Sequence, residues 1–223
     1  MFPLYLFTDL GFWSFAVLYV LIVRYFVKVC VWLLHKIGTP PTVVRTLPTW
    51  IHILFAFLLV EQFFHQAEHV TQIYQFRILG LAPTSSRGFL WFLDDEWNHF
   101  VFNGLYFTGL LLVFAVMIRA LIRQHVQRNV ANVGFIYAFL ILEGWHMVEH
   151  TVRIVQHVQG LCDQCPGILD PLTGINRLYL HFFFNLFALL LPSVSFVWYG
   201  VTAELKRRFT SRTKKIAPLR FLQ

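Results

Sequence analysis

The chain has 223 residues, of which 57% are hydrophobic and only 13% are charged. Soluble globular domains carry about 25% charged residues, so this composition excludes an ordinary soluble protein and is typical of an integral membrane protein. The formal net charge of +7 raises the question of nucleic-acid binding, and the positions of the basic residues favour a different explanation.

Five apolar segments are long enough to cross the roughly 30 Å hydrocarbon core of a bilayer as helices. The predicted spans are Leu10–Leu34, Trp50–Tyr74, His99–Ile122, Val133–Val158 and Leu178–Thr202. Together they nearly exhaust the chain, which predicts a single transmembrane domain over residues 1–223. The start, MFPLYLFTDL, lacks the basic region of a cleaved signal peptide, so we expect the first span to be retained.

Fourteen of the eighteen lysine and arginine residues flank the same ends of these spans. The positive-inside rule then predicts an N-terminus outside and a C-terminus in the cytoplasm, with the plasma membrane as the expected location. The stretch KRRFTSRTKK lies in a predicted cytoplasmic tail over residues 205–223, where it would contact anionic lipid. The expected partner is therefore the lipid bilayer, and we expect no nucleic acid.

The loop before the last span carries the sequence CDQC, with Cys162 and Cys165. In the predicted topology this loop lies on the outer side of the membrane. Outer compartments are oxidising, which favours a disulfide between the two cysteines.

Polar residues of the first half of the chain recur in the second half. HQAEH, which begins at His65, matches HMVEH 81 residues later, and HFVFN matches HFFFN 82 residues later. Composition explains the shared phenylalanines but not the polar residues in register, so we interpret residues from about 48 to 123 and from about 131 to 204 as two copies of one hairpin. The predicted fold is an all-α integral membrane protein with five transmembrane helices. Four of them form a bundle from two parallel duplicated hairpins.

The repeated polar residues share helix faces, because positions three, four and seven apart lie on one side of a helix. Ionisable groups inside a membrane are costly and indicate function. Histidine and carboxylate ligands suit iron, copper and zinc. The sequence therefore predicts one or two transition metal ions in the outer half of the bilayer, with iron or copper favoured and zinc allowed. The predicted metal ligands are His65, Glu68, His69, His99, His146, Glu149, His150 and His181.

Other polar residues on these faces are assigned supporting roles. The acids Glu61 and Glu143 are the candidate catalytic residues, as proton relays. Glu68 and Glu149 could serve either as bridging ligands or as acceptors that fix the orientation of an imidazole. Amides are poor ligands for these metals, so they are expected behind the ligands. The predicted supporting residues are Asp95, Asn103, Asn185, Gln75 and Gln156.

HQAEH and HMVEH resemble the HxxxH boxes of the integral-membrane desaturases and hydroxylases, which are also polytopic and histidine-rich. The resemblance covers these few residues only, and the HxxHH boxes of that family are absent. A dry, phenylalanine-lined metal site favours a redox enzyme of oxygenase or hydroxylase type that acts on an apolar substrate. A haem-binding electron-transfer protein and a metal or proton transporter or sensor are the alternatives. Either a homo-oligomer or a subunit of a membrane complex is compatible with the sequence.

Overall fold

The fold is described from a computed structural model, which describes residues 9–37, 45–88, 96–123, 130–162 and 165–215. These residues form seven α-helices and one short 3-10 helix, and they contain no strand. The helices are α1 (Leu10–Ile37), α2 (Thr49–Arg77), α3 (Glu96–Arg123), α4 (Val130–Val158), α5 (Leu169–Thr173), α6 (Arg177–Trp198) and α7 (Val201–Lys215), and the 3-10 helix is Pro83–Ser85.

Four of these helices, α1, α2, α3 and α6, are long and apolar enough to cross a membrane. They identify the chain as an all-α protein of the integral membrane type. Helix α4 is as long as α2 and carries Glu143, Glu149 and Arg153. The predicted spans agree with the observed helices to within a few residues, except that α6 ends before the predicted limit at Thr202.

The break between α6 and α7 occurs at Gly200, whose φ of +68° is one that other residues rarely adopt. Residues 201–215, which include most of the predicted tail, continue as helix α7. At the start of α7, Glu204 pairs with Arg207 and Arg208 at 2.6 and 2.5 Å, and these arginines lower the pKa of the Glu204 carboxyl to about 2. Arg208 also donates to Thr49, which fixes α7 to the start of α2.

Helices α2, α3, α4 and α6 form a four-helix bundle in which α2 packs against α6 and α3, and α4 packs against the same two helices. Helix α1 lies outside the bundle against α6 and α2, with most of its large apolar side chains exposed. Its N-terminus is fixed by Asp9, which accepts from the backbone N–H of Gly11 at 2.8 Å and from the Tyr74 hydroxyl at 2.7 Å. These hydrogen bonds, the Tyr74 bond above all, hold the pKa of Asp9 below its ordinary value.

The two ends of the bundle differ in composition. At one end, which we call the basic end, Arg45, Arg123 and Arg208 flank a continuous apolar core that includes Phe55, Phe114 and Trp198. At the other end, the loop end, most of the buried side chains of α2, α3, α4 and α6 are polar. The loop end therefore contains the candidate site.

Candidate metal centre

Six buried or partly buried histidines from four helices meet near the loop end of the bundle. Ring centres on different helices lie 5.2 Å apart for His150 and His181, 5.4 Å for His69 and His181, and 5.9 Å for His99 and His150. All six were predicted ligands, and the structure brings them together. We refer to them as the histidine cluster: His65, His69, His99, His146, His150 and His181.

The first three residues of the cluster form a compact group. His65, His69 and His99 each offer a ring nitrogen within 4.8 Å of the other two. The Nε2 atoms of His65 and His69 are 3.2 Å apart, which is possible because the two residues are one helical turn apart on α2. The Nδ1 atom of His69 lies 2.8 Å from the side-chain oxygen of Gln72. Since that oxygen can only accept, Nδ1 carries the proton and Nε2 keeps its lone pair.

A similar pair lies on α4. The Nε2 atoms of His146 and His150 are 3.0 Å apart, and the Nδ1 atom of His146 is 3.2 Å from a carboxylate oxygen of Glu143. The carboxylate therefore fixes the His146 tautomer with its Nε2 lone pair directed at His150. The other side of the His146 ring is covered by Phe184, stacked at 5.0 Å. Asn103 of α3 contacts His150 Nε2 at 3.2 Å.

Arg153 is an unpredicted member of the site. Its side chain is buried and donates through Nη1 to the Nε2 atom of His181 and through Nη2 to the Pro166 carbonyl at 3.3 Å. The predicted duplication offered a signal for this residue, because Gln72, the partner of His69, stands 81 residues earlier. A guanidinium and an amide at equivalent positions make the two groups of histidines chemically different.

The two predicted acids next to the HxxxH boxes contact the loops. Glu149 accepts from the backbone N–H groups of Ile168 and Leu169 at 2.8 and 2.7 Å, so both of its oxygens are engaged outside the cluster. Glu68 lies against Gly88, where a Cβ atom would collide with its carboxylate, and a Cβ atom at Gly167 would collide with Glu149 in the same way. In this arrangement the carboxylates hold the loops, and their role as metal ligands stays a prediction.

The predicted amides occupy matching positions as well. Gln75 accepts from the Gly88 N–H at 2.8 Å, and Gln156 accepts from the Gly167 N–H at 3.2 Å. Asn103 donates to the backbone carbonyl of His99 at 2.8 Å, and Asn185 donates to that of His181 at 3.0 Å. The asparagines thus lie directly behind cluster residues, while the glutamines lie at the loops. Asp95, another predicted supporting residue, lies outside the described residues.

The candidate proton-relay acids lie on the side of the cluster that faces the apolar core. Glu143 is 1% exposed and contacts His146, as described above. Glu61 is partly exposed, and one of its carboxylate oxygens is buried without a hydrogen-bond partner. Glu61 and Glu143 are close enough to repel each other when both are ionised.

Searches against protein-family models, curated proteins and solved structures find no match to this chain. The tautomers of His69 and His146 are fixed by Gln72 and Glu143, and His65, His69 and His99 form a group of ring nitrogens that could hold a metal ion.

Proposed function

We propose that the chain is a membrane metalloprotein whose histidine cluster binds one or two transition metal ions, and that it is a redox enzyme acting on an apolar substrate. The observation that carries this proposal is the approach of ring nitrogens in two HxxxH pairs, at 3.2 and 3.0 Å, with an acceptor behind one ring of each pair. Iron or copper is favoured by the donor set, and zinc is compatible with it.

The distances support coordination of a single ion by each pair. Two imidazole nitrogens that bind one ion at about 2.0–2.1 Å, at angles between about 90° and 110°, lie roughly 2.9–3.4 Å apart. Both pairs fall in this range, with His99 beside the first and His181 beside the second. Gln72 and Glu143 provide the orienting hydrogen bonds that metal-bound histidines usually have.

We further propose that the bundle derives from two duplicated hairpins, α2 with α3 and α4 with α6, and that α4 is a fifth transmembrane span. Three residues of the first hairpin make the same kind of contact as their counterparts in the second, and this agreement supports the duplication. The pairs of counterparts are Glu68 and Glu149, Gln75 and Gln156, and Asn103 and Asn185. The polar residues of α4 are directed into the bundle, where they avoid contact with lipid, so α4 is compatible with a transmembrane position. The distribution of lysine and arginine supports an N-terminus outside and a C-terminus in the cytoplasm.

Among the reaction classes, redox catalysis fits the surroundings best. A bound iron or copper ion would supply the redox chemistry, while the protein would exclude water and move protons through Glu61 and Glu143. Haem fits less well, because a flat macrocycle has to separate the helices, whereas imidazoles of all four helices approach each other at 5.2–5.9 Å. Transport requires a polar path to the basic end, and the core described there is largely apolar, with His52 and Ser195 among its few buried polar residues.

Metal analysis of the purified full-length protein tests this proposal. We expect roughly one to two iron, copper or zinc ions per chain, and His69→Ala and His150→Ala should each lose bound metal while the protein still inserts into the membrane. His52→Ala is the matched control, since His52 is buried on α2 at the basic end and should retain the metal of the wild type. An absorption band near roughly 400–430 nm would instead indicate haem. Unchanged metal content in both cluster variants would contradict the assignment.

A further inference from the structure

The two HxxxH pairs are covered differently on the side that faces lipid. In the α4 pair, His146 is 1% exposed and is stacked under Phe184 at 5.0 Å. In the α2 pair, His65 lies deep in the bundle but keeps accessible surface, and so does Glu61 one turn away. An accessible histidine within a polar cluster inside a membrane protein calls for an explanation.

The counterpart of Phe184 in the first hairpin is Phe102, in the matching motif HFVFN. Its position relative to His65 follows from the packing of α2 on α3. A Cβ atom at Gly109 would contact the side chain of Leu58, and two turns nearer the loop end the same helix faces carry Phe102 and His65. The ring of His99, one turn from Phe102, lies 5.3 Å from that of His65.

Phe102 nevertheless leaves His65 partly uncovered. It is 38% exposed, and its neighbours Val101 and Leu105 are 50% and 67% exposed. At the loop end, by contrast, the backbone beyond Pro166 is bound by Glu149, and Arg177 pairs with Glu96 at 2.9 Å. The described contacts at the loop end are thus polar, and the cover of the cluster is incomplete between α2 and α3, where Phe102, His65 and Glu61 keep accessible surface. We call this opening, bounded by Phe102, His65 and Glu61, the lateral window.

We propose that the lateral window admits an uncharged, lipid-dissolved molecule to the histidine cluster, with Phe102 as the residue that controls entry. This inference rests on the proposed function for the reaction that follows, but the opening itself can be tested without any metal. The side chains around the window are apolar on the lipid side and turn polar only at His65 and Glu61. Ions and strongly polar molecules would lose their hydration on this route, which selects an apolar substrate.

Carbodiimides of different solubility test the window, because they add to the O–H of a carboxylic acid to give an O-acylisourea, which rearranges to a stable N-acylurea where water and amines are excluded. The full-length protein, reconstituted in phospholipid vesicles, is treated with lipid-soluble dicyclohexylcarbodiimide or with a water-soluble carbodiimide, and the adducts are located by mass spectrometry. We expect the lipid-soluble reagent alone to modify Glu61, and neither reagent to modify Glu143, which is 1% exposed.

Variants at the two matching phenylalanines sharpen this test. Phe102→Trp should largely abolish the labelling of Glu61, and Phe102→Ala should accelerate it. Phe184→Trp is the matched control on the closed side and should leave the labelling unchanged. Equal modification of Glu61 by the water-soluble reagent, no modification by either reagent, or insensitivity to both changes at Phe102 would overturn the proposal.

A second measurement separates this inference from the proposed function. In protein loaded with cobalt(II), a long-chain alkylimidazole should perturb the visible spectrum, and Phe102→Trp should slow that change relative to the change caused by imidazole itself. If Glu61 is labelled from the bilayer but the protein binds no metal, the window stands and the metal proposal fails. If metal binds and Glu61 cannot be reached from the bilayer, the window fails alone.

Discussion

The hairpin of α2 and α3 and the hairpin of α4 and α6 use the same contacts for their framework and different ones at their centre. In both, a glutamine accepts from the N–H of a loop glycine, Gly88 or Gly167, and a glutamate carboxylate packs against that glycine. In both, an asparagine donates to the carbonyl of a histidine one turn before it. The two hairpins differ around the cluster, where Gln72 of the first hairpin corresponds to Arg153 of the second. The comparison teaches that the contacts of the loop glycines and of the histidine carbonyls are alike in the two hairpins, whereas Gln72 and Arg153, which bind His69 and His181, differ in chemistry.

The contacts that the two hairpins share can be tested at the loop glycines. Gly88 and Gly167 have φ of +73° and +74°, and an added Cβ atom would collide with Glu68 or Glu149. We expect Gly88→Ala and Gly167→Ala each to lower the free energy of unfolding by about 2–4 kcal/mol, since both strain and overpacking are introduced. Thermal unfolding in detergent would measure the loss.

Gly160 provides the matched control for these two variants. Its φ is +69°, but nothing lies within 4 Å of its added Cβ atom. Gly160→Ala should therefore lower the free energy of unfolding only by the cost of the backbone conformation, about 1–2 kcal/mol. If all three variants were equally stable, the contacts of Glu68 and Glu149 with the loops would have no energetic importance, and the shared framework would have to be abandoned.

The divergent centre can be tested by making the second hairpin resemble the first. Arg153 donates to the His181 nitrogen that a metal ion would need, and Gln72 leaves the first group free of such competition. On the proposed function, Arg153→Gln should raise metal affinity by roughly tenfold, a typical effect for residues behind the ligands. Competition with a chelator of known affinity measures the change. Gln72→Arg is the reverse exchange and should weaken binding, and a gain of affinity in that variant would contradict the argument.

The sequence predicted the long helices and the approach of the six histidines, because hydrophobic segments and helical spacing are local properties. It did not predict the loop contacts. Gly167 follows Gln156 by 11 residues, whereas Gly88 follows Gln75 by 13, so a comparison at fixed spacing leaves the two glycines out of register. The signal that could have found them is the short match of Gly88-Phe89-Leu90 with Gly167-Ile168-Leu169.

The role of the acids could not be predicted for a different reason. Helical spacing places Glu149 on the face of His146 and His150, but it does not determine whether the carboxylate turns toward them or toward a loop. That choice depends on the backbone N–H groups of Ile168 and Leu169, which donate to Glu149 and belong to a turn about twenty residues further along the chain. Arg153 shares a helix face with His146 and His150, but its partner His181 lies on another helix and could not be inferred from spacing alone.

The smallest expected effect concerns α1, which attaches to the first hairpin through Tyr74. The second hairpin has Val155 at the matching position, exposed to 48%, and so offers no such attachment. Because hydrogen bonds, first that of Tyr74, lower the pKa of Asp9 below 3.8, the ionised carboxylate stabilises the fold above that pH and the contribution is lost as the pH falls through and below it. The difference in melting temperature between wild type and Asp9→Asn should therefore shrink on acidification below about pH 4. When Tyr74→Phe is introduced into both proteins, the difference in melting temperature between them at neutral pH should become smaller, because the change removes the strongest partner of the Asp9 carboxylate. A difference that is constant from neutral to acid pH would mean that α1 is held by its apolar contacts alone.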